Sequence, residues 1–230
     1  MKKRILSLIF TTLILIIIIG CSNDNAYNEK ITTENSVTDP IVTPDEIEIP
    51  KYITIQGEQF STELTELNLS ERQLNSYDIE PLQYMVNLTE LNLAENEISN
   101  ISALSGLTNL TNLILQTNYI RDLSPLAGLV NLTKLFLTEN EISDISALSG
   151  LTNLRFLGLG FNPISDISPL AELTNLSMLF LLSNQFSDIN VLTELTDLEY
   201  LHLQFNPVIS AEQIAELREA LPNTEIHADH

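Results

Sequence analysis

The strongest constraint in this sequence is a nine-residue pattern that returns at a fixed interval. Over residues 110–118 it reads Leu-Thr-Asn-Leu-Ile-Leu-Gln-Thr-Asn, or LxxLxLxxN. An internal period of about 20 to 50 residues is typical of a solenoid, in which each unit buries its apolar face only against its neighbours. The closing asparagine recurs every 22 residues, at Asn96, Asn118, Asn140, Asn162, Asn184 and Asn206.

Each repeat predicts one coil of that solenoid. Leu91 and Leu93 have the period of 2 of a strand, so one strand per coil would build a parallel sheet. Residues that alternate with the strand leucines would then line the concave face. In the repeat that begins at Leu88, the apolar positions predicted to point inward are Leu88, Leu91, Leu93, Ile98, Ile101, Leu104 and Leu107.

The asparagine column is predicted to be structural. Where the chain turns out of the sheet, backbone groups lose their partners, and a buried amide that both donates and accepts can satisfy them. We expect each asparagine to serve its own turn and the next one along the chain.

A second column holds aspartates at Asp122, Asp144, Asp166 and Asp188. Aspartate is a preferred N-cap, so each residue is predicted to open a short 3₁₀ or helical turn on the convex side. The alternative interpretation of this column is a row of calcium ligands.

The N-terminal end of the solenoid, residues 51–63, is predicted to be a cap. Residues 52–60 form two short alternating runs around a glycine-bearing turn, which indicates a hairpin. The first repeat is irregular, because Arg72 takes the asparagine position and two additional residues lie between Leu74 and Ile79.

The C-terminal end, residues 210–230, is predicted to be a helical cap. Ser210 and Gln213 have the spacing of a capping box, and Pro222 ends the helix. Residues 223–226 would add a last edge strand. The helical face that covers the solenoid would carry Ile214, Leu217 and Leu221.

These repeats, over residues 64–209, resemble those of internalin-type leucine-rich-repeat proteins of the bacterial cell surface. The resemblance implies an α/β solenoid of about seven repeats, wound as a curved right-handed coil. Its parallel β-sheet would form the concave face, and short 3₁₀ or helical turns the convex side. Internalins usually carry a helical N-terminal cap, whereas a hairpin is predicted here. The resemblance also implies adhesion.

Residues 1–20 have the features of a signal peptide. Three basic residues precede an apolar stretch that is short for a membrane span. Ile18-Ile19-Gly20-Cys21 resembles a bacterial lipobox, which implies that Cys21 is lipidated and becomes the first mature residue. The alternative is an uncleaved apolar anchor. Residues 21–50 would be a flexible polar tether, so we expect an extracytoplasmic protein held on the cell membrane by its lipid.

The charge excludes several classes of partner. Without the three basic residues of the leader, seven basic residues remain against 31 acidic ones, a formal charge of −24. Such a surface repels nucleic acid. No cofactor motif or catalytic constellation is evident, since no serine, cysteine or metal-ligand spacing accompanies His202, and His227 and His230 are assigned to a solvated tail. We therefore predict neither an enzyme nor a metal site.

The predicted concave face changes character along the solenoid. Its central column reads Asn68, Asn92, Ile114, Phe136, Gly158, Phe180 and His202. The columns on either side read Glu66, Glu90, Asn112, Lys134, Phe156, Met178 and Tyr200, and Ser70, Ala94, Gln116, Thr138, Gly160, Leu182 and Gln204.

A contiguous exposed apolar patch marks an interaction site. The alternative is that the aromatic side chains only pack across strands and shield the sheet. Gly158 and Gly160 would leave a notch between Phe136 and Phe180 that could accept one side chain of a partner. The predicted partner-binding residues are Phe136, Phe156, Gly158, Phe161, Met178, Phe180, Leu182, Tyr200, His202 and Phe205.

Two functions are consistent with these features. The first is a non-enzymatic binding protein whose aromatic concave face holds a protein or peptide. The second is a lipoprotein that captures a solute, peptide or glycan for a transporter or for the cell wall. The sequence leaves the oligomeric state open.

The lipid anchor is tested at Cys21. A Cys21→Ser protein lacks the thiol that would be acylated, so it is expected to leave the detergent-phase membrane fraction for the soluble fraction. Fractionation followed by immunoblotting measures this. Unchanged membrane partitioning of the variant would refute lipidation and favour the uncleaved apolar anchor.

Overall fold

The computed structural model describes residues 49–206 and 208–229. They belong to one compact unit, Glu46–His230. The predicted leader, Cys21 and most of the tether lie outside the described residues. None of the helices in the described part has the length and apolar character needed to cross a membrane.

The structure is a leucine-rich-repeat solenoid, as predicted. It begins with an antiparallel hairpin of β1 (Tyr52–Ile55) and β2 (Glu58–Ser61). Eight strands then form one parallel sheet in which each strand pairs with the next along the chain. They are β3 (Glu66–Asn68), β4 (Glu90–Asn92), β5 (Asn112–Ile114), β6 (Lys134–Phe136), β7 (Phe156–Gly158), β8 (Met178–Phe180), β9 (Tyr200–His202) and β10 (Glu225–His227).

Short 3₁₀ segments connect consecutive strands of the repeats. They span Glu80–Tyr84, Ser102–Leu104, Ser124–Leu126, Ser146–Leu148, Ser168–Leu170 and Asn190–Glu194. The apolar residues of each coil lie between the sheet and these segments. In the coil that begins at Leu88, all seven predicted inward residues are at most 2% exposed. Since one coil is too thin to enclose them, this burial depends on the neighbouring coils.

Six buried asparagines add polar groups to that core. We call them the amide ladder, and they are Asn96, Asn118, Asn140, Asn162, Asn184 and Asn206. The Asn118 Nδ2 atom donates to the carbonyls of Leu115 at 3.1 Å and of Gln116 at 3.3 Å, both in its own turn. It also donates to the Leu93 carbonyl at 3.0 Å, while its Oδ1 accepts from the Ile98 N–H at 3.0 Å. The prediction of a satisfying amide is thus confirmed, with one correction.

The correction concerns direction, because the asparagine serves the preceding coil and not the next one. The N–H groups along each strand alternate in direction, since Asn112 donates back to the Thr89 carbonyl and Leu93 donates forward to the Ile114 carbonyl. Past the strand, Glu95 still donates forward to a backbone carbonyl, but the Leu93 carbonyl and the Ile98 N–H are bound by Asn118 of the following coil. At the last coil, the Asn206 Oδ1 instead accepts from the Asn184 N–H at 2.9 Å.

The residue before each ladder asparagine has a left-handed backbone conformation without being glycine. Its φ is +55° at Thr117, +54° at Phe161 and +61° at Phe205. This region is unfavourable for β-branched and bulky side chains, so the conformation persists only because surrounding contacts impose it. Glu71, before Arg72 in the first coil, has the same conformation at +58°, so the conformation belongs to the turn itself and does not require an asparagine at the next position.

A second asparagine ladder was not anticipated from the sequence. Asn109, for example, donates from Nδ2 to the Val86 carbonyl of the preceding coil at 2.8 Å. These side chains are more exposed than the first ladder and make a single such bond each. The ladder comprises Asn87, Asn109, Asn131, Asn153 and Asn175.

The predicted hairpin cap is present. Gln56 and Gly57 both have positive φ, at +47° and +81°, as a two-residue hairpin turn requires. Arg72, in the asparagine position of the first repeat, contacts this hairpin through its side chain. Its guanidinium pairs with Glu58 at 2.6 Å and lies 5.7 Å from the centre of the Phe60 ring. It therefore ties the hairpin to the first coil.

The C-terminal cap is also confirmed. Helix α1 (Ala211–Ala220) begins with the predicted capping box, in which Ser210 Oγ accepts from the Gln213 N–H at 3.2 Å. The Gln213 Oε1 accepts from the Ser210 N–H at 2.9 Å. The last edge strand, β10, extends one residue further than predicted and includes His227. The buried face of the cap is Ile214, Leu217 and Leu221.

The amide ladder is tested by comparing one residue from each asparagine column. Asn140→Leu leaves the Ile120 N–H and the Leu115 carbonyl without the buried amide that binds them. At about 1–3 kcal/mol for each unsatisfied group, we expect the free energy of unfolding to fall by about 2–6 kcal/mol.

Asn153→Leu is the matched control, since it removes one exposed bond to the Val130 carbonyl and is expected to cost about 1 kcal/mol. Urea unfolding followed by circular dichroism measures both variants. Equal losses would contradict the role assigned to the buried column.

Candidate functional site on the concave face

The strand register brings the predicted surface columns together. Phe136, on β6, is aligned with Gly158 on β7, which in turn is aligned with Phe180 on β8. Lys134, Phe156 and Met178 are aligned in the same way in the flanking column. Their positions in the sheet are therefore as predicted, while their role in binding stays a prediction.

The aromatic side chains form one continuous stack across β6 to β10. Phe136 and Phe156 stack with ring centroids 4.3 Å apart, and Phe156 lies 5.2 Å from Phe180. Phe180 lies 5.2 Å from Tyr200, which is 5.0 Å from His227. The stack thus alternates between the flanking and the central column. We call it the aromatic ladder, and its members are Phe136, Phe156, Phe180, Tyr200, His202 and His227.

Each residue of the aromatic ladder is partly buried and keeps a smaller part of its surface exposed to solvent. Cross-strand packing, the alternative function considered for these residues, is therefore real. It does not cover the surface completely, because every residue of the aromatic ladder keeps part of its surface accessible to solvent. Packed rings of this kind have little conformational freedom to lose when a partner binds.

The predicted notch at the two glycines is absent. Gly158 is buried, because the Phe156 ring leans over it to reach Phe136 and Phe180. A Cβ atom on Gly158 would lie 3.6 Å from that ring and 3.2 Å from Thr138 Oγ1. At Gly160, a Cβ would overlap the Leu182 side chain. The glycines therefore make room for this chain's own side chains and leave none for a partner.

Three apolar residues of the predicted site are more exposed than the aromatic ladder. Met178 on β8 is 40% exposed. Phe161 and Phe205, which follow β7 and β9, are 47% and 61% exposed and border the sheet where the chain leaves it. Neither phenylalanine has an aromatic neighbour among the described residues. Leu182, by contrast, is half-buried against Gly160.

His227 belongs to this surface, and assigning it to a solvated tail was wrong. It is aligned with His202 in the register of β9 and β10, with ring centroids 5.8 Å apart. Its Nε2 lies 2.7 Å from Glu225 Oε1, while the His202 Nε2 lies 2.9 Å from Gln204 Oε1. The sequence signal for this placement was the run of residues 223–226, which was predicted to be an edge strand and ends directly before His227.

The N-terminal strands form a polar surface on the same face. Glu66, Glu90, Asn92 and Asn112 line a shallow cavity of about 410 Å³. The Asn112 Nδ2 donates to Glu90 at 3.4 Å, while its buried Oδ1 has no partner. The concave face is therefore polar over β3 to β5 and aromatic over β6 to β10.

The aspartate column caps turns, although one position earlier than predicted. Asp144 Oδ1 accepts from the Ser146 N–H at 2.8 Å, two residues on, and the N-cap position itself is Ile145. These hydrogen bonds from the following serine lower the pKa of Asp122, Asp144 and Asp166 below the usual range. Among the described residues, no group of three or more potential metal ligands is found.

Comparisons with known proteins agree with this architecture. A family model for leucine-rich repeats (2 copies) matches residues 86–128 and 130–172. No curated protein sequence matches the chain. Solved structures do match, and the first two are internalins from Listeria monocytogenes.

The internalin inlF is 38% identical, with a TM-score of 0.67 over 74% of this chain and 48% of its own. This chain thus spans about half of its length. Internalin C2 is 30% identical, with a TM-score of 0.60 over 75% of this chain and 85% of its own. A leucine-rich-repeat protein of Leptospira interrogans is 30% identical, with a TM-score of 0.65 over 72% of this chain and 43% of its own.

The packing at the glycines is tested by a double-mutant cycle. Gly160→Ala forces the Leu182 side chain to move, and overpacking of this kind costs about 1–3 kcal/mol of unfolding free energy. Adding Leu182→Ala removes the obstructing atoms, so the cost of Gly160→Ala is expected to fall below about 1 kcal/mol in that background. An equal cost in both backgrounds, measured by urea unfolding, would contradict the overlap.

The aspartate column is tested by acid unfolding. Because the folded pKa of these carboxyls is lowered, the stability they contribute is present above about pH 4 and is lost as the pH falls through the folded pKa. The triple variant Asp122→Asn, Asp144→Asn, Asp166→Asn keeps an acceptor oxygen but does not titrate. Its urea midpoint should therefore fall less than that of the parent between pH 5 and pH 2, and an equal fall would contradict the capping role.

Proposed function

Because this chain belongs to the internalin-type leucine-rich-repeat proteins, we propose that it is a non-enzymatic surface protein that binds a partner protein on its concave face. The leucine-rich-repeat fold and the internalin-like neighbours support protein–protein interaction in general. Leucine-rich-repeat proteins of the internalin type are typically binding proteins that lack catalytic activity.

The observation that carries the proposal is the exposed apolar border of the aromatic ladder. Met178, Phe161 and Phe205 are 40–61% exposed and accompany the partly exposed rings of β6 to β10. The N-terminal strands of the same sheet expose glutamate and asparagine instead. Since those strands are equally well paired, the sheet does not need aromatic cover for its own stability.

The chemistry of this surface favours an apolar protrusion of a protein partner. Aromatic and methionine side chains are enriched at the centres of protein interfaces, where they exclude water. Phe161 and Phe205 lie two strands apart, or about 9.6 Å, with the small Ser183 between them. A leucine or phenylalanine side chain of the partner fits between two rings at that separation.

The proposed location is the outer surface of a bacterial membrane. Cys21 would carry the lipid, and the polar residues after it would act as a tether. A flexible chain of about 29 residues has a root-mean-square reach of about 30 Å, which is enough to lift the solenoid clear of the lipid surface.

Exposed side chains provide the test, since their removal leaves the core intact. The unit Glu46–His230 is prepared with Phe161→Ser, Met178→Ser and Phe205→Ser together. A protein captured by the parent unit from a surface extract is identified, and its dissociation constant is measured by calorimetry. We expect the triple variant to bind at least about a hundredfold more weakly, which corresponds to the loss of about 2.7 kcal/mol of apolar contact.

The matched control removes three exposed apolar side chains away from this face: Tyr52→Ser, Tyr119→Ser and Val130→Ser. It should bind as the parent does, and both variants should keep the parent melting temperature within a few degrees. Full affinity in the concave-face variant, or equal losses in the two variants, would contradict the proposed site.

A further inference from the structure

We propose a second binding site, for a neutral saccharide unit, in a groove on the outer side of the first two coils. This outer groove has a volume of about 490 Å³. Its lining residues follow Arg72 in the first coil and Asn96 in the second, and they lie outside the parallel sheet. The inference does not depend on the proposed function of the concave face. The groove is lined by Asn75, Ser76, Tyr77, Glu80, Glu97, Ser99, Asn100, Ser102 and Ala103.

The groove originates in the irregular first repeat. The two additional residues between Leu74 and Ile79 push a short loop, residues 75–78, out from the coil. The following repeats have 22 residues and lack such a loop. One groove between two regular coils, near Asp122 and Asp144, has a volume of only about 280 Å³ and has an arginine but no aromatic residue in its lining.

The loop is held in place by its own hydrogen bonds. The Asn75 N–H donates to Asp78 Oδ2 at 2.8 Å, and the Tyr77 N–H donates to Asn75 Oδ1 at 2.9 Å. Ser76 joins the loop to the next coil, because its Oγ accepts from the N–H groups of Ser99 at 3.1 Å and of Asn100 at 2.9 Å. A ligand therefore meets a loop that is already ordered.

Tyr77 stands at the tip of that loop and is 81% exposed. No other aromatic ring packs against it among the described residues, and burial in the core does not account for it. An exposed aromatic face on a rigid support is a stacking surface for another flat, partly apolar face. The C–H face of a pyranose ring has that character, while its hydroxyl groups remain free to bind polar side chains.

The polar groups of the groove suit hydroxyl partners. Glu80 and Glu97 offer carboxylate acceptors, and Asn75 and Asn100 offer amide donors that make no hydrogen bond within the described residues. Sugar hydroxyls both donate and accept, so they match this mixture. The lining has no lysine or arginine, which disfavours a phosphate or carboxylate ligand, and it has no enclosed apolar volume for a lipid.

The test uses defined probes with the compact unit Glu46–His230, which contains the whole core of the described residues. Maltose, cellobiose, lactose and chitobiose are titrated, with binding followed by saturation-transfer NMR and by chemical-shift changes. We expect at least one disaccharide to bind and to perturb residues 75–78. Tyr77→Ala should weaken that binding about tenfold, because it removes the stacking face.

Tyr119→Ala is the matched control, since Tyr119 is 54% exposed and lies outside the groove. It should leave saccharide binding unchanged, and the melting temperature of both variants should equal that of the parent. Nα-acetyl-lysine amide is titrated as the alternative ligand, a positively charged side chain. The proposal is overturned if no disaccharide binds, if Tyr77→Ala binds as tightly as Tyr119→Ala, or if the lysine derivative binds in the groove and the sugars do not.

Discussion

The structure depends on a buried amide that completes the hydrogen bonds of each turn. A chain that leaves a parallel sheet every 22 residues has backbone N–H and C=O groups at each turn that lack a hydrogen-bond partner in a neighbouring strand. The asparagine of the following coil binds those groups, as Asn118 does for the Leu93 carbonyl and the Ile98 N–H. Adjacent coils are thereby joined by polar contacts as well as by stacked leucines, which fixes their register.

That same turn determines which side chains the protein can display. The turn holds the residue before each ladder asparagine at positive φ, whatever its side chain, so the coil presents this position outward in a fixed direction. In most coils it is glutamate, threonine or serine. A phenylalanine at this strained position is therefore energetically unfavourable. Phe161 and Phe205 are also exposed, so they add nothing to the stability of the core. The aromatic ladder on the same face is held by packing, because each ring contacts at least one ring of a neighbouring strand.

The sequence period was sufficient to predict the sheet, its register and the buried asparagine column, while the two caps were predicted from a local alternation and a capping-box spacing outside the repeats. Three features depended on information that a period does not contain. The direction in which Asn118 reaches follows from which backbone groups face forward past the strand. The notch at Gly158 is filled because Phe156 leans toward Phe136, and alternation along a strand fixes the face of a side chain but not its tilt. His227 was missed because β10 lacks the repeat and exists only by pairing with β9.

In the proposed function, the repeats are a scaffold and the partner lies on the aromatic half of the concave face. A photo-cross-linking amino acid placed at position 178, in the aromatic half, or at position 119, outside it, distinguishes the two surfaces within the bound complex. Binding at the proposed site predicts a cross-link to the partner from position 178 and none from position 119. A cross-link from position 119 alone would place the partner elsewhere and would contradict the account.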